Sequence, residues 1–209
     1  MLPRRALPAG RLVNQNMPAF LTGGTSLQPG LFLDRDGVIN EECEYLHDPK
    51  DLVVIAGVAE AIAAINRRHI PVVVVTNQAG IGRGIYGVDA YHEVNRAIAA
   101  ALARSEARID AWYFCPHLPE ADCPCRKPRP GMLLAAAKDL DLGLGRSVIV
   151  GDKASDLEAA RAVGCRTVLV RTGYGRDVEV ELGAANRLHL ADWVSDSLFT
   201  ALPFLEGTF

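Results

Sequence analysis

The chain has 209 residues, 49% of them hydrophobic and 22% charged, values that suit one soluble α/β domain with small insertions. A net charge of -3 gives no reason to expect nucleic acid or a membrane surface as a partner. The longest apolar runs, such as 71–75 and 148–150, are strand-sized and fall far short of the ~20 residues of a membrane span.

The first thirty residues differ from the rest: Arg4, Arg5 and Arg11, four prolines, and no acidic residue before Asp34. A transit peptide can have this composition, but a flexible extension over 1–29 is the favoured reading, with Met17 as an alternative start. No apolar signal core with a small-residue cleavage site precedes the domain, which is placed over 30–205.

The first strand, Leu31-Phe32-Leu33, ends abruptly in Asp34-Arg35-Asp36-Gly37. Short apolar runs of this kind mark strands buried in parallel sheets, and ligands of such sheets bind beyond the carboxyl ends of their strands. Two carboxylates there are costly unless a cation or a reaction uses them. A polar loop over 41–51 follows, then a helix over 57–68 with Val58, Ile62 and Ile65 at helical spacing. A second strand over 70–75 ends in Thr76-Asn77-Gln78, and a loop rich in glycine (Gly80, Gly82, Gly84, Gly87) leads to a helix over 89–104. A third strand over 111–114 opens a Pro/Cys loop that runs through Pro130. A helix over 132–140, a strand over 147–150 ending in Gly151-Asp152-Lys153, a helix over 154–163 and a strand over 167–170 complete the alternation. A last edge strand over 189–193 and a closing helix over 195–202 are expected. Strands alternating with helices imply a doubly wound parallel sheet. The connections leave no room for a separate cap domain, so the site should be open.

The strand ends bring together Asp34 and Asp36, then Thr76 and Asn77, then Arg126 and Lys127 from the third loop, and Asp152 and Lys153. Hard carboxylate oxygens suit Mg²⁺. Lysine, arginine and a hydroxyl suit the oxygens of a phosphoryl group. The combination points to phosphoryl transfer. Asp156, four residues beyond Asp152, reads as a polar residue in a first helical turn, favoured there by the helix dipole. The chain has five cysteines. Cys115-x-His117 and Cys123-x-Cys125 offer three thiolates and an imidazole, a set that matches tetrahedral Zn²⁺ with no open position and hence a structural role. Unpaired cysteines without a secretory signal point to a reducing, cytoplasmic setting. Cys43 and Cys165 read as ordinary thiols, with Cys165 facing the core.

Four stretches carry a resemblance: 34–40 (DRDGVIN), 74–78 (VVTNQ), 125–132 (CRKPRPGM) and 150–156 (VGDKASD). In order and content they resemble the four motifs of the haloacid dehalogenase superfamily. More narrowly, they are similar to its heptose-1,7-bisphosphate 7-phosphatase group, to which histidinol-phosphate phosphatases are related. The resemblance implies that Asp34 is the nucleophile, forming an aspartyl-phosphate, and that Asp36 is the acid and base. Mg²⁺ would bind Asp34, Asp152 and the main-chain carbonyl of Asp36, while Thr76 and Lys127 hold the phosphoryl oxygens. Asn77 and Arg126 would orient the substrate. Lys153 would add positive charge or steady Asp34. Glu42, Cys43, Glu44 and Tyr45 correspond in position to sugar-contacting residues, and Arg35, Gln78 and Ala79 fall in substrate-binding stretches. The same cysteine–histidine arrangement occurs in that group. The implied protein is a cytoplasmic monomer that acts on a small phosphorylated molecule. Histidinol phosphate is the alternative substrate. A non-catalytic binding module would be expected to lack the nucleophile or the acid/base residue, and both are present.

Overall fold

The computed structural model describes residues 10–13 and 27–209. A seven-stranded sheet runs in the order β1 (Gly10–Val13), β4 (Ala111–Cys115), β3 (Val72–Asn77), β2 (Leu31–Leu33), β5 (Val148–Gly151), β6 (Arg166–Val170), β7 (Trp193–Ser195). All neighbours are parallel except β1, which pairs antiparallel with β4, Gly10 opposite Phe114. The four valines 72–75 of β3 are β-branched and favour extended backbone. Both neighbours of β2 meet it in the same register, Leu31 lying opposite Val72 on one side and Val148 on the other. The chain leaves β2 toward β3 and returns on its other flank as β5, so β2 is the switch point where such sheets bind ligands.

Side-chain alternation divides the core in two. Leu31, Leu33, Val72, Val74, Val148 and Val150 face α1 (Val58–Arg67), α3 (Val88–Ala103) and α7 (Leu202–Thr208). Phe32, Val73, Val75 and Ile149 face α4 (Gly131–Asp139) and α5 (Ala154–Arg161). Residues 31–33 of β2 and 72–75 of β3 are fully buried, as a strand covered by helices on both faces requires. In α3 the buried positions Tyr91, Val94, Asn95, Ile98 and Leu102 repeat at three- and four-residue steps along one face.

Four elements after β2 depart from the sequence reading. The glycine-rich stretch contains a one-turn helix, α2 (Ala79–Gly82). Helix α6 (Gly175–Ala184) was not anticipated, because it is charge-rich and buries only Gly175 and Leu182. The last strand is Trp193–Ser195, with His189 in a 3₁₀ turn before it. The closing helix begins at Leu202 rather than near Ser195, with proline in its first turn, where a missing N–H is harmless. Strand β1 falls inside the stretch expected to be an extension. The flexibility expected for the rest of that stretch and the alternative start at Met17 lie outside the described residues. Among the described residues no helix is long and apolar enough to cross a membrane.

Candidate active site

Asp34 is the first residue beyond β2, held there by its own N–H bonding to Val150 O (3.0 Å). Its Oδ1 accepts from the Arg35 amide (2.8 Å) and lies 3.0 Å from Lys127 Nζ. That ammonium also reaches Asp156 Oδ1 (2.6 Å) and Val75 O (2.7 Å) and is 4% exposed. Burial opposes its charge, but Asp156 and then Asp34 outweigh burial and hold the ammonium above its ordinary value. Lys127 comes from a loop, and Asn77 at the end of β3 fixes that loop. Asn77 Oδ1 accepts from Lys127 N (3.1 Å) and Nδ2 donates to Lys127 O (3.0 Å). Asp156 takes the first-turn place read from the sequence, accepting from Lys153 N (3.0 Å), and has a second partner in Lys127.

Asp152 follows β5 and sits between two glycines with left-handed backbone, Gly37 (φ 81°) and Gly173 (φ 55°). A Cβ at either would lie 2.2 Å from Asp152 Oδ2, so only glycine admits the carboxylate there. Oδ2 accepts from Tyr174 N (2.9 Å), whereas the buried Oδ1 has no hydrogen-bond partner. Carboxylate oxygens of Asp34, Asp152 and Asp156 lie within 4.8 Å of one another. Burial, then the charges of Asp34 and Asp156, push the Asp152 carboxyl up to about 8. An orphaned buried carboxylate oxygen beside other acidic groups is the donor set a hard divalent cation fits.

Asp36 points the other way, into a cleft. Arg35 grips it through Nε and Nη2 (3.0 and 2.9 Å to Oδ1), Asn40 Nδ2 donates to Oδ1 (3.0 Å), and Gln78 Nε2 donates to Oδ2 (2.9 Å). Burial alone would raise this carboxyl. Arg35, with help from Asn40 and Gln78, holds it below its ordinary value, so the free protein carries Asp36 ionised. The cleft beside it encloses about 200 Å³, and Glu42, Glu44, Tyr45, Lys153 and Tyr174 form part of its wall. Lys153 Nζ donates to Glu42 Oε2 (3.0 Å) and lies 4.6 Å from the Tyr174 ring centroid. Burial works against the Lys153 ammonium, but Asp34, Asp152 and Glu42 raise it.

Beyond Cys115, the last residue of β4, the Pro/Cys loop folds back on itself. Cys115 Sγ lies 3.5 Å from His117 Nδ1 and from Cys123 Sγ, and Cys125 Sγ lies 3.4 Å from each of the other three donors. A regular tetrahedron with such edges has its centre about 2.1 Å from each corner, close to Zn–S and Zn–N bond lengths. No cysteine is in a disulfide. The cluster fits a four-coordinate metal, as the spacing predicts, and Cys165 packs in the core on the same side of the sheet.

Asp34, Asp36, Thr76, Lys127, Asp152 and Lys153 converge at one sheet edge. Three other expected substrate contacts do not line the cleft beside Asp36. The Arg35 side chain is fully buried and serves Asp36, with Asn95 and the Tyr91 ring behind it. The Arg126 guanidinium donates to His117 O (3.2 Å) and borders a second depression, which it shares with Lys127, Cys123 and Arg129. Cys43 is exposed and does not line the cleft. Asn77 borders the cleft, but its amide is engaged at both ends by the Lys127 main chain. Asn40, Tyr86 and Tyr174 belong to the site and were missed. The asparagine closes a turn back onto Asp36 from four residues away, a local signal that was available. The two tyrosines carry no spacing signal.

A HAD-hydrolase-like family model matches residues 124–199. A D-glycero-D-manno-heptose-1,7-bisphosphate 7-phosphatase of Thermosynechococcus vestitus is 41% identical over 189 residues, covering 85% of this chain and 95% of its own. A D-glycero-beta-D-manno-heptose-1,7-bisphosphate 7-phosphatase of Escherichia coli K12 is 39% identical, covering 81% and 90%. The crystal structure of D,D-heptose 1,7-bisphosphate phosphatase from B. bronchiseptica, complexed with magnesium and phosphate, superposes with a TM-score of 0.79 at 33% identity, over 86% of this chain and 99% of that one. With a carboxylate-bearing strand end, a buried lysine, an acidic cluster and relatives aligned over nearly their whole lengths, the chain belongs to the heptose bisphosphate phosphatase family of haloacid-dehalogenase-like hydrolases, which are phosphoric monoester hydrolases.

Proposed function

We propose that this enzyme removes the C7 phosphate of D-glycero-D-manno-heptose 1,7-bisphosphate, leaving heptose 1-phosphate. The observation that carries this reading is the buried Asp34–Lys127 pair set beside a polar cleft into which Asp36 projects. An Asp34 oxygen attacks phosphorus and the bond to the sugar oxygen breaks. The departing alkoxide takes a proton from Asp36. Asp36 then removes a proton from water, which attacks the aspartyl-phosphate and frees Asp34 and inorganic phosphate. Asp36 is ionised in the free enzyme, and an arriving phosphoryl dianion raises its proton affinity by like-charge repulsion. Lys127 and the Thr76 hydroxyl offset charge on the transferred oxygens.

Asp34, Asp152 and the carbonyl of Asp36 would hold Mg²⁺, which supplies positive charge against the phosphoryl oxygens. The orphaned Asp152 oxygen supports this. Cys115, His117, Cys123 and Cys125 would hold Zn²⁺ in a structural role, with no position left for a substrate. Glu42, Glu44 and Tyr45, with Lys153, form the wall that would meet the sugar.

Phosphate release is to be compared on heptose 1,7-bisphosphate and histidinol phosphate. A higher kcat/KM on heptose bisphosphate is expected, and the reverse order overturns the substrate assignment. Asp34→Asn should abolish turnover, and near-normal activity would rule out the covalent route. EDTA should stop the reaction and added Mg²⁺ should restore it.

A further inference from the structure

Gln78 carries a substrate-binding expectation, yet it is 2% exposed and its amide is saturated. Nε2 donates one hydrogen to Asp36 Oδ2 and the other to Thr76 Oγ1, each at 2.9 Å. Oε1 accepts from Tyr86 OH (2.5 Å) and from Arg35 Nη2 (3.3 Å). Gln78 borders the cleft, but an amide has two hydrogens to give and two lone pairs to fill, so its hydrogen bonds are already taken by the protein. The orientation is set by chemistry. A guanidinium only donates and an ionised carboxylate only accepts, so the oxygen must face Arg35 and the nitrogen Asp36.

On these grounds we infer that Gln78 is a positioning residue that couples the two halves of the reaction. One N–H fixes the Asp36 carboxylate that handles the proton. The other occupies an acceptor site of Thr76, which turns the hydroxyl hydrogen outward, toward the place of the phosphoryl oxygen. Tyr86 locks the amide from the far side. Its ring also lines the substrate cleft and lies where a side chain at position 80 would stand, since a Cβ on Gly80 would come within 2.2 Å of it. The position of the general acid is thus mechanically linked to the cleft wall.

This inference rests on the phosphatase reading, and the test separates the two. Single-turnover cleavage is measured for heptose 1,7-bisphosphate, whose alkoxide leaving group needs a proton, and for p-nitrophenyl phosphate, whose leaving group does not. Wild-type enzyme, Gln78→Met and Tyr86→Phe are compared. For Gln78→Met, misplacing the acid should lower the sugar-phosphate rate roughly 10- to 100-fold. The aryl ester should lose about tenfold less, and inhibition by inorganic phosphate should weaken. Tyr86→Phe removes only a hydroxyl and should show the same pattern in milder form, which keeps the test decisive if Gln78→Met does not fold. Equal losses on both esters in a folded variant, or no loss, would overturn the positioning role while leaving the phosphatase reading intact. A wild-type protein that cleaves neither ester would overturn the phosphatase reading itself.

Discussion

Lys127 pairs with two buried carboxylates, Asp34 and Asp156, and its removal is the sharpest test of the acidic cluster. Lys127→Met would leave Asp34, Asp152 and Asp156 facing one another without their buried cation. Loss of one partner of a buried ion pair costs on the order of 3–5 kcal/mol, so denaturant unfolding in EDTA should show a loss of that size, and Mg²⁺ should narrow it. Turnover should fall at least about 100-fold. The acidic residues of this site were legible because an Asp-x-Asp and a Gly-Asp-Lys each sit where an apolar run stops. The lysine was legible as a cation of the third loop suited to phosphoryl oxygens, and the resemblance between ordered stretches gave it its role. What Arg35 does was not, because the resemblance places it in a substrate-binding stretch. The fold turns it inward, where Asp36, Gln78 and Asn95 satisfy its hydrogen bonds and Tyr91 lies 5.5 Å from it. The pairing of Asp156 with Lys127 was likewise hidden, since it joins a helix to a distant loop.

At the level of elements, the Cys/His loop and the β6–β7 junction make separate predictions. Cys123→Ser should lower bound zinc well below one per chain and reduce kcat, because Cys125 directly precedes Arg126 and Lys127 and the loop would lose its anchor. Metal analysis alongside phosphate release checks both. Asp192 joins β6 to β7 by accepting from Thr167 N (2.8 Å) and pairing with Arg161 (2.7 Å). Burial alone would raise its carboxyl, but the Thr167 amide and Arg161 outweigh burial and keep it below the ordinary value. A depressed carboxyl stabilises the fold above its unfolded pKa, and the gain is lost as pH falls through the folded value. Asp192→Asn should therefore lower Tm at pH 7, and the gap from wild type should close below about pH 4. The βαβ alternation through β6 was readable from apolar runs and helical spacing. The end of the chain was not. Trp193 is half-exposed and stacks on Phe204, a pairing that local pattern does not reveal, and α6 carries too few apolar residues to announce itself.

Over the whole molecule, the parallel sheet gathers residues from five separate chain segments onto one edge, and among the described residues none forms a separate domain over them. Substrate identity was the least legible property. The proposed catalytic groups would handle a phosphoryl unit common to many esters, while the sugar would meet loop side chains such as Glu44 and Tyr45, both in left-handed conformation (φ 40° and 55°). Cys115 has a wider consequence. It closes β4 in register with Asn77, the residue that clamps Lys127, and its sulfur also belongs to the cysteine–histidine cluster. With a metal bound there, oxidants would have a route to the proposed reaction that bypasses its chemistry. Peroxide converting these thiolates to disulfides or sulfenic acids would expel the metal and loosen the lysine, though Asp34 itself is inert to it. Brief peroxide treatment should release zinc in step with activity, and thiol reductant with added zinc should recover both. Inactivation without zinc release would show that the cluster and the catalytic edge are independent.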